Sequence, residues 1–464
     1  MNKRIFLKLI GLVLTVSFVG FLAKSFGLNF KQALSISIFL ASILGSLLFW
    51  DFRLSFAFLG TSILLLFKAI DLENLIKSAS LEVVLFLVGM MILIGLLKRS
   101  GFFVWLVMLI LQVKNLTAKK LFISISIISA LLACAVDEVT SIIFMVAAIF
   151  QICDFFEINP IPFLMASVLA TNIGSTGTVL GNPIGILIAA KSGLTFEDFI
   201  FQAFPLMLVC LSATIFLLFF WYRRPLQNLD KKIKTIGSNE IFLRLISVPP
   251  DKNLRFSLFI AGLTLFFIAL HHRLELLLNL EANTILLIIP LIFAAFVMIW
   301  KYKYAREFVE HDVEWWTLLF FLFLFGQAGT LQYTGAVDFF TKRLSFLFRD
   351  NYTLLVGVIL WLSAIGSSCL DNVVLVTAFL PIIKSFEAIG IFGRPLWWAL
   401  LFGGCLGGNI TLVGSTANIV VLGILEKEKK LKIKFFEWLK IGLIVGILTI
   451  LIVWIILTLS WKAK

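Results

Sequence analysis

Charge is what this chain has least of. Only 14% of its 464 residues are Asp, Glu, Lys or Arg, while 61% are hydrophobic. Soluble domains carry about 25% charged residues. With a mean hydropathy of +1.07, a soluble fold of this length has too little polar surface to cover its apolar content. Cysteine is also sparse. Cys134, Cys153, Cys210, Cys369 and Cys405 form no CxxC pair and lie in or beside apolar segments. That excludes a disulfide framework and leaves them as small buried hydrophobes. The three histidines, His271, His272 and His311, sit at segment ends without metal-ligand spacing. HExxH, GxGD and DxxxD patterns are all missing. An intramembrane protease or transferase would need such a set, so an enzyme is not expected and no cofactor is called for.

What the chain has is apolar runs near 20 residues long, the length that crosses a bilayer core of roughly 30 Å. Eleven spans can be drawn, at 5–23, 32–50, 54–70, 82–97, 161–190, 200–222, 256–271, 284–300, 315–330, 395–424 and 441–461. The stretches 118–150 and 352–387 carry polar clusters at their middles. Each reads as a helix-turn-helix hairpin that enters and leaves on one side. The stretches 102–113 and 336–348 are too short to cross and read as interfacial helices. With the N-terminus inside, loops on that side hold 26 of the 39 basic residues. This positive-inside bias places the N-terminus in the cytoplasm and, with eleven spans, the C-terminus outside a plasma (inner) membrane. The net charge of +13 is thereby an orientation signal, and nucleic acid is not an expected partner.

The halves repeat. Glu82-Val83-Val84 matches Glu314-Trp315-Trp316, and Ser100-Gly101 matches Thr334-Gly335. Asp137-Glu138-Val139 matches Asp371-Asn372-Val373, 234 positions on, and the glycine-rich motifs below recur at an offset of 233. Matched elements lie five spans apart, so the repeats have opposite topology, as in many secondary transporters. The expected division is a membrane helix in 1–31, a first repeat in 32–222, a basic cytoplasmic linker in 223–255 and a second repeat in 256–464. The fold class is all-α and polytopic, with about eleven transmembrane helices plus two re-entrant hairpins.

Four polar clusters fall at membrane depth. Two are the hairpin tips, Asp137-Glu138-Val139-Thr140-Ser141 and Asp371-Asn372. A charged side chain at the bilayer centre costs at least roughly 2.5–3.5 kcal/mol, so it must face a polar cavity, pair, or carry a proton. Each Asp is also placed to cap its own half-helix. The other two are Asn172-Ile173-Gly174-Ser175-Thr176-Gly177-Thr178 with Gly181-Asn182-Pro183, and Gly407-Gly408-Asn409-Ile410-Thr411 with Gly414-Ser415-Thr416-Ala417-Asn418. Glycine clusters and Pro183 interrupt a helix. Freed backbone groups are tolerated at that depth only inside protein or along a wet cavity. The candidate site is therefore Asp137, Glu138, Thr140, Asn172, Gly174, Ser175, Thr176, Asn182, Asp371, Asn372, Gly408, Asn409, Thr411, Ser415 and Asn418, with a Na⁺ site expected near Asp137, Asn172, Asp371 and Asn409.

An acidic hairpin followed by a broken, glycine-rich helix in both halves resembles the ion transporter superfamily with citrate-transporter-like domains. The motifs are similar to those of its arsenite permease, NhaD-type sodium/proton antiporter and P-protein branch, over about residue 32 to the C-terminus. The resemblance implies a homodimer, a scaffold domain, and a mobile transport domain whose hairpins and broken helices enclose cargo and coupling ion in an elevator-like motion. Two departures stand out. The branch has Asp-Asn where this chain has Asp137-Glu138, and Gly-Asp-Pro-Pro-Asn where it has Gly181-Asn182-Pro183-Ile184-Gly185. The Ser-Asn-Thr hairpin signature of dicarboxylate symporters is absent, which disfavours a di- or tricarboxylate cargo. The expected function is a Na⁺- or H⁺-coupled carrier of a small inorganic ion or anion. A Na⁺/H⁺ antiporter remains open, favoured by the hairpin acids. Inverted repeats with broken helices disfavour a passive channel.

Overall fold

The computed structural model describes residues 3–49, 52–102, 105–106, 117–236, 251–281, 284–339, 341 and 352–462, which contain no β-strand. Nine helices among them are long and apolar enough to cross a membrane. The first, Lys3–Ser25, is mostly exposed and packs on Phe30–Leu48, whose start is fixed by a reciprocal Asn29–Gln32 capping box. The two spans expected to be interrupted by glycine-rich motifs are broken. The stretch 161–190 is two helices, Ile161–Gly174 and Pro183–Ser192, and 395–424 is two more, Arg394–Gly407 and Thr416–Ile424. Beyond Thr284–Trp300 the chain turns by 105° into Tyr302–Asp312. Arg99 clamps that bend through Glu307 (2.7 Å) and Asp312 (3.0 Å).

Helix boundaries carry the duplication. Leu81–Arg99 maps onto Trp315–Tyr333 and Ala118–Ala135 onto Tyr352–Cys369, each by 234 residues. Ile161–Gly174 maps onto Arg394–Gly407 by 233. Each acidic cluster turns a hairpin: Ala118–Ala135 packs on Glu138–Phe155, and Tyr352–Cys369 on Asn372–Ala388. The first arm of each hairpin packs on the broken helix of its own repeat. That contact needs glycine. A Cβ on Gly174 would lie 2.2 Å from the Ala130 carbonyl oxygen, and one on Gly407 2.3 Å from that of Ala364.

The segment 223–255 opens with helix Arg223–Ile236. Leu226, Leu229 and Ile233, at helical spacing, are buried against the first hairpin. Asp230 accepts from the Ala118 backbone N–H at 2.7 Å. The solvated linker expected from charge count is thus half docked, and 237–250 lies outside the described residues. So does most of 102–113 and 336–348. The helices before them end alike, at Gly101 (φ 79°) and Gly335 (φ 71°), in the left-handed conformation that glycine adopts without strain.

Gly174→Ala and Gly407→Ala are expected to destabilise the protein by about 1–3 kcal/mol each, since backbone oxygen cannot move aside. Gly262→Ala, with nothing within 4 Å of its Cβ, is expected to be neutral. Unfolding of the purified protein in detergent, followed by heat or denaturant, checks both.

Candidate functional site

Each break spans eight residues, 175–182 and 408–415, between two half-helices. Side chains replace the lost helical ladder. Thr178 donates its hydroxyl to the Cys134 carbonyl, and Thr411, its repeat mate, donates to the Ser368 carbonyl. Each break is so tied to the end of its hairpin's first arm. Asn182 accepts from Gly185 N–H (2.7 Å) and Ser415 from Ala417 N–H (3.2 Å), capping the second half-helices. The Asn182 amide also donates to Ser175 Oγ (2.9 Å) and to Cys405 Sγ (3.0 Å).

A fully buried amide network joins the repeats. Asn172 Nδ2 donates to Asn409 Oδ1 (2.8 Å) and Asn418 Oδ1 (3.0 Å), while Asn172 Oδ1 accepts from Ser415 Oγ (3.1 Å). Asn418 Nδ2 in turn donates to the carbonyls of Gly408 (2.8 Å) and Thr411 (2.9 Å). Neighbouring Trp438 Nε1 donates to the Asn409 carbonyl at 3.1 Å.

The hairpin acids do three different jobs. Asp137 Oδ1 accepts from Thr140 N–H at 2.8 Å, and Asp371 Oδ1 from Val373 N–H at 3.0 Å, so both cap a half-helix. Asp371 Oδ2 also accepts from Thr416 Oγ1 at 2.6 Å, which links the second hairpin to the second broken helix. Glu138 caps nothing. It is 4% exposed and receives only long hydrogen bonds from Asn372 Nδ2, at 3.3 and 3.5 Å. Asn372 is its repeat mate, so the hairpin tips meet here. The Ser175 and Ser415 hydroxyls, one from each broken helix, donate instead to Asn172, at its carbonyl (3.0 Å) and its Oδ1 (3.1 Å). No described Lys or His forms a salt bridge with Asp137, Glu138 or Asp371, and the nearby Arg53 guanidinium interacts electrostatically with Asp371.

A cavity of about 120 Å³ opens onto this tip, lined by Asp137, Glu138, Thr140, Glu314, Thr317 and Thr416 among others. On its scaffold side the buried Arg53 guanidinium donates to Thr317 Oγ1 at 3.2 Å and lies 5.0 Å over the Phe320 ring.

The predicted residues therefore divide. Glu138, Asn372, Asn172, Ser175, Asn182, Asn409, Ser415 and Asn418 converge. Asp137, Asp371, Thr140, Gly174, Gly408 and Thr411 hold the hairpins and breaks in shape, and Thr176 bonds back to the Ile173 carbonyl (2.7 Å). No hydrogen bond links Asp137 or Asp371 to Asn172 or Asn409. Among the described residues no three His, Cys, Asp or Glu side chains cluster tightly enough to hold a metal ion. Sequence reasoning passed over Cys405, Glu314, Thr317 and Arg53. Thr416 stood inside a quoted motif, two residues on from Gly414, and its hydroxyl was the available signal.

Hairpins, breaks and a cross-repeat polar centre define a membrane transporter, and the comparisons agree. The citrate transporter family matches residues 37–403, and the chain belongs to it. An uncharacterised transporter of Mycobacterium tuberculosis is 29% identical over 78% of this chain and 82% of its own length. The 46 kDa membrane protein of Mycobacterium leprae is 28% identical over 87% and 93%. The human P protein is 26% identical over 80% of this chain, which spans 52% of it. In fold, the chain is similar to the Alcanivorax borkumensis YdaH transporter, with a TM-score of 0.56 and 14% identity over 86% of this chain and 88% of that one.

Asn172→Ala is expected to cost about 1–3 kcal/mol, because it leaves buried acceptors on Asn409 and Asn418 unpaired. A fall in unfolding temperature larger than that of Asn228→Ala, an exposed position on helix Arg223–Ile236, checks it.

Proposed function

We propose that the protein is an ion-coupled secondary transporter for a small inorganic ion or anion, with Glu138 as the coupling group. The observation that carries this is the state of Glu138: buried where the two hairpin tips meet, without a salt bridge to any described residue, and held only by the neutral Asn372 amide. A carboxyl group there is stable only with a proton or a cation bound to it. Loading and unloading that ion on opposite sides of the membrane is what coupling requires. The tips and broken helices move together, in an elevator-like cycle against the scaffold helices Leu81–Arg99 and Trp315–Tyr333. The same reading takes the functional unit as a homodimer in the plasma membrane, N-terminus cytoplasmic and C-terminus outside.

The family's description names citrate, but the buried centre offers neutral amides and hydroxyls rather than cations. That favours a small polar or singly charged cargo over a tricarboxylate. A Na⁺/H⁺ antiporter is the second reading. It is favoured by the cavity that carries Asp137, Glu138 and Glu314 together.

Proteoliposomes with imposed proton or sodium gradients test the proposal, using sodium, arsenite, phosphate and citrate as cargos. Gradient-driven, saturable flux of one cargo is expected. Glu138→Gln should lower it by about tenfold or more and abolish its response to internal pH, while Glu138→Asp keeps part of both. Undiminished gradient-driven flux in Glu138→Gln refutes the coupling role, and unsaturable flux indifferent to gradients makes the protein a channel.

A further inference from the structure

We infer that a second cavity, lined by Lys77, Lys191, Lys384 and Ser80, is a vestibule that binds a small oxyanion before it reaches the buried centre. The inference rests on the reading above, that the protein carries a small ion or anion, and it commits the cargo to an anion.

The cavity holds about 230 Å³ and lies between the scaffold pair and the second hairpin. It is the repeat-related counterpart of the acidic cavity at Glu138. Met91, Ile94 and Ile143 line the acidic one, and Phe325, Ala328 and Thr377, each 234 positions on, line this one. Glu314 of the acidic cavity corresponds to Ser80 here. Helix Trp315–Tyr333 runs from one to the other: Thr317 and Gln332 are separated by about 22 Å of helix at roughly 1.5 Å per residue. The two cavities are thus the two mouths of one interface, and the repeat has given them opposite chemistry. One is lined by three carboxyl groups and no lysine, the other by three lysines and no carboxyl group.

Three carboxylates pair with these lysines from outside the lining: Glu73 with Lys77 (2.6 Å), Glu82 with Lys191 (3.3 Å) and Glu387 with Lys384 (2.9 Å). Each ammonium has three donors, so one pair leaves others for a ligand, and the Lys191 pair is long and partly exposed. Ser80 supplies an independent pointer. It is 1% exposed, and its hydroxyl has no hydrogen-bond partner. It stands at the N-cap of the 19-residue helix Leu81–Arg99 yet makes no capping bond, because its left-handed backbone (φ 50°, ψ 50°) turns the side chain off the first turn. A non-glycine residue held in that conformation, with an idle buried donor, is the kind of strain that accumulates at ligand sites. The uncapped N-terminus adds its own positive end. Gly329 keeps the turn in place, since a Cβ there would meet Ser78 Cβ at 2.2 Å. On the proposed orientation this mouth faces outward, where the positive-inside bias gives lysines no topological role.

The test uses the full chain in detergent at low ionic strength. Inorganic phosphate, sulfate and citrate are the probes, and chloride at matched ionic strength is the control. At least one probe should raise the unfolding temperature of the wild type saturably. The half-saturating concentration should rise about tenfold or more in K191Q/K384Q, rise in the same direction in S80A, and return in K191R/K384R, which keeps the charges. A wild type indifferent to all three probes beyond chloride overturns the inference, as does undiminished binding in K191Q/K384Q. E138Q separates the two sites: it should lose gradient-driven flux and keep the probe effect. An effect lost in E138Q but kept in K191Q/K384Q places the anion at the buried centre and overturns the vestibule, leaving the transport reading intact.

Discussion

Everything in this fold answers to the scarcity of water at the bilayer centre. Two helices are cut there for eight residues each, and each cut frees backbone groups that hydrocarbon cannot satisfy. The chain resolves this with short polar side chains that act on backbone. Thr178 and Thr411 bind hairpin carbonyls, Asn182 and Ser415 cap the restarting helices, and Asn418 collects the Gly408 and Thr411 carbonyls. Glycine is required by the same logic. Gly174 and Gly407 bring helix and hairpin backbones close enough for those bonds to form. The hairpins are therefore held by the breaks and the breaks by the hairpins, so the four pieces form one body.

Duplication supplied that body with two copies of each part, and divergence then made the copies unequal where chemistry sits. Caps and close contacts are shared: Thr178 with Thr411, Asp137 with Asp371, Gly174 with Gly407. At the centre the mates differ. Asn172 corresponds to Cys405, Thr176 to Asn409, Gly185 to Asn418 and Glu138 to Asn372. Because the mates differ, no amide here pairs with its own copy across the pseudo-axis. The asymmetric set instead gives one donor-rich amide, Asn172, three partners from the opposite repeat, and sets a carboxyl group against the amide that can donate to it. The side-chain differences are thus what shape the bonds between the repeats at this buried centre.

How far the sequence spoke follows from the same division. Hairpin tips, breaks and their spacing were readable because backbone demands are local: an acid where a half-helix starts, glycines and proline where a helix stops. The exact offset of 233–234 was readable because insertions at membrane depth are excluded. The capping by Asp137 and Asp371 was readable on the same ground, but the separate duty of Glu138 was not, since adjacent acids at a tip look alike until one of them turns out to cap and the other to face the partner hairpin. Arg53 and Thr317 were invisible for a related reason. They come from a loop-to-helix junction and a span of the other repeat, and only packing sets them beside the acidic mouth. The 223–236 helix was hidden by its charge, although Leu226, Leu229 and Ile233 had the right period.

The distribution of ionisable groups completes the picture. A carrier that presented its acids and its lysines to the same cavity would pair them with one another, and a salt bridge formed there would hold cargo out and hold the moving body still. Here the lysines that meet the lining of one mouth are paired from behind by Glu73, Glu82 and Glu387, and the acids of the other mouth have no described lysine within ion-pair distance. Between them lies the amide centre, which carries no formal charge beyond Glu138. On the proposed elevator cycle such a body would move without breaking a salt bridge of its central acids, and only the peripheral Lys191–Glu82 pair to the scaffold helix would have to open. Glu138, the proposed coupling group, is held only by long bonds from Asn372. An amide donor can face an ionised or a neutralised carboxyl, the property the proposed coupling site needs and a structural ion pair lacks.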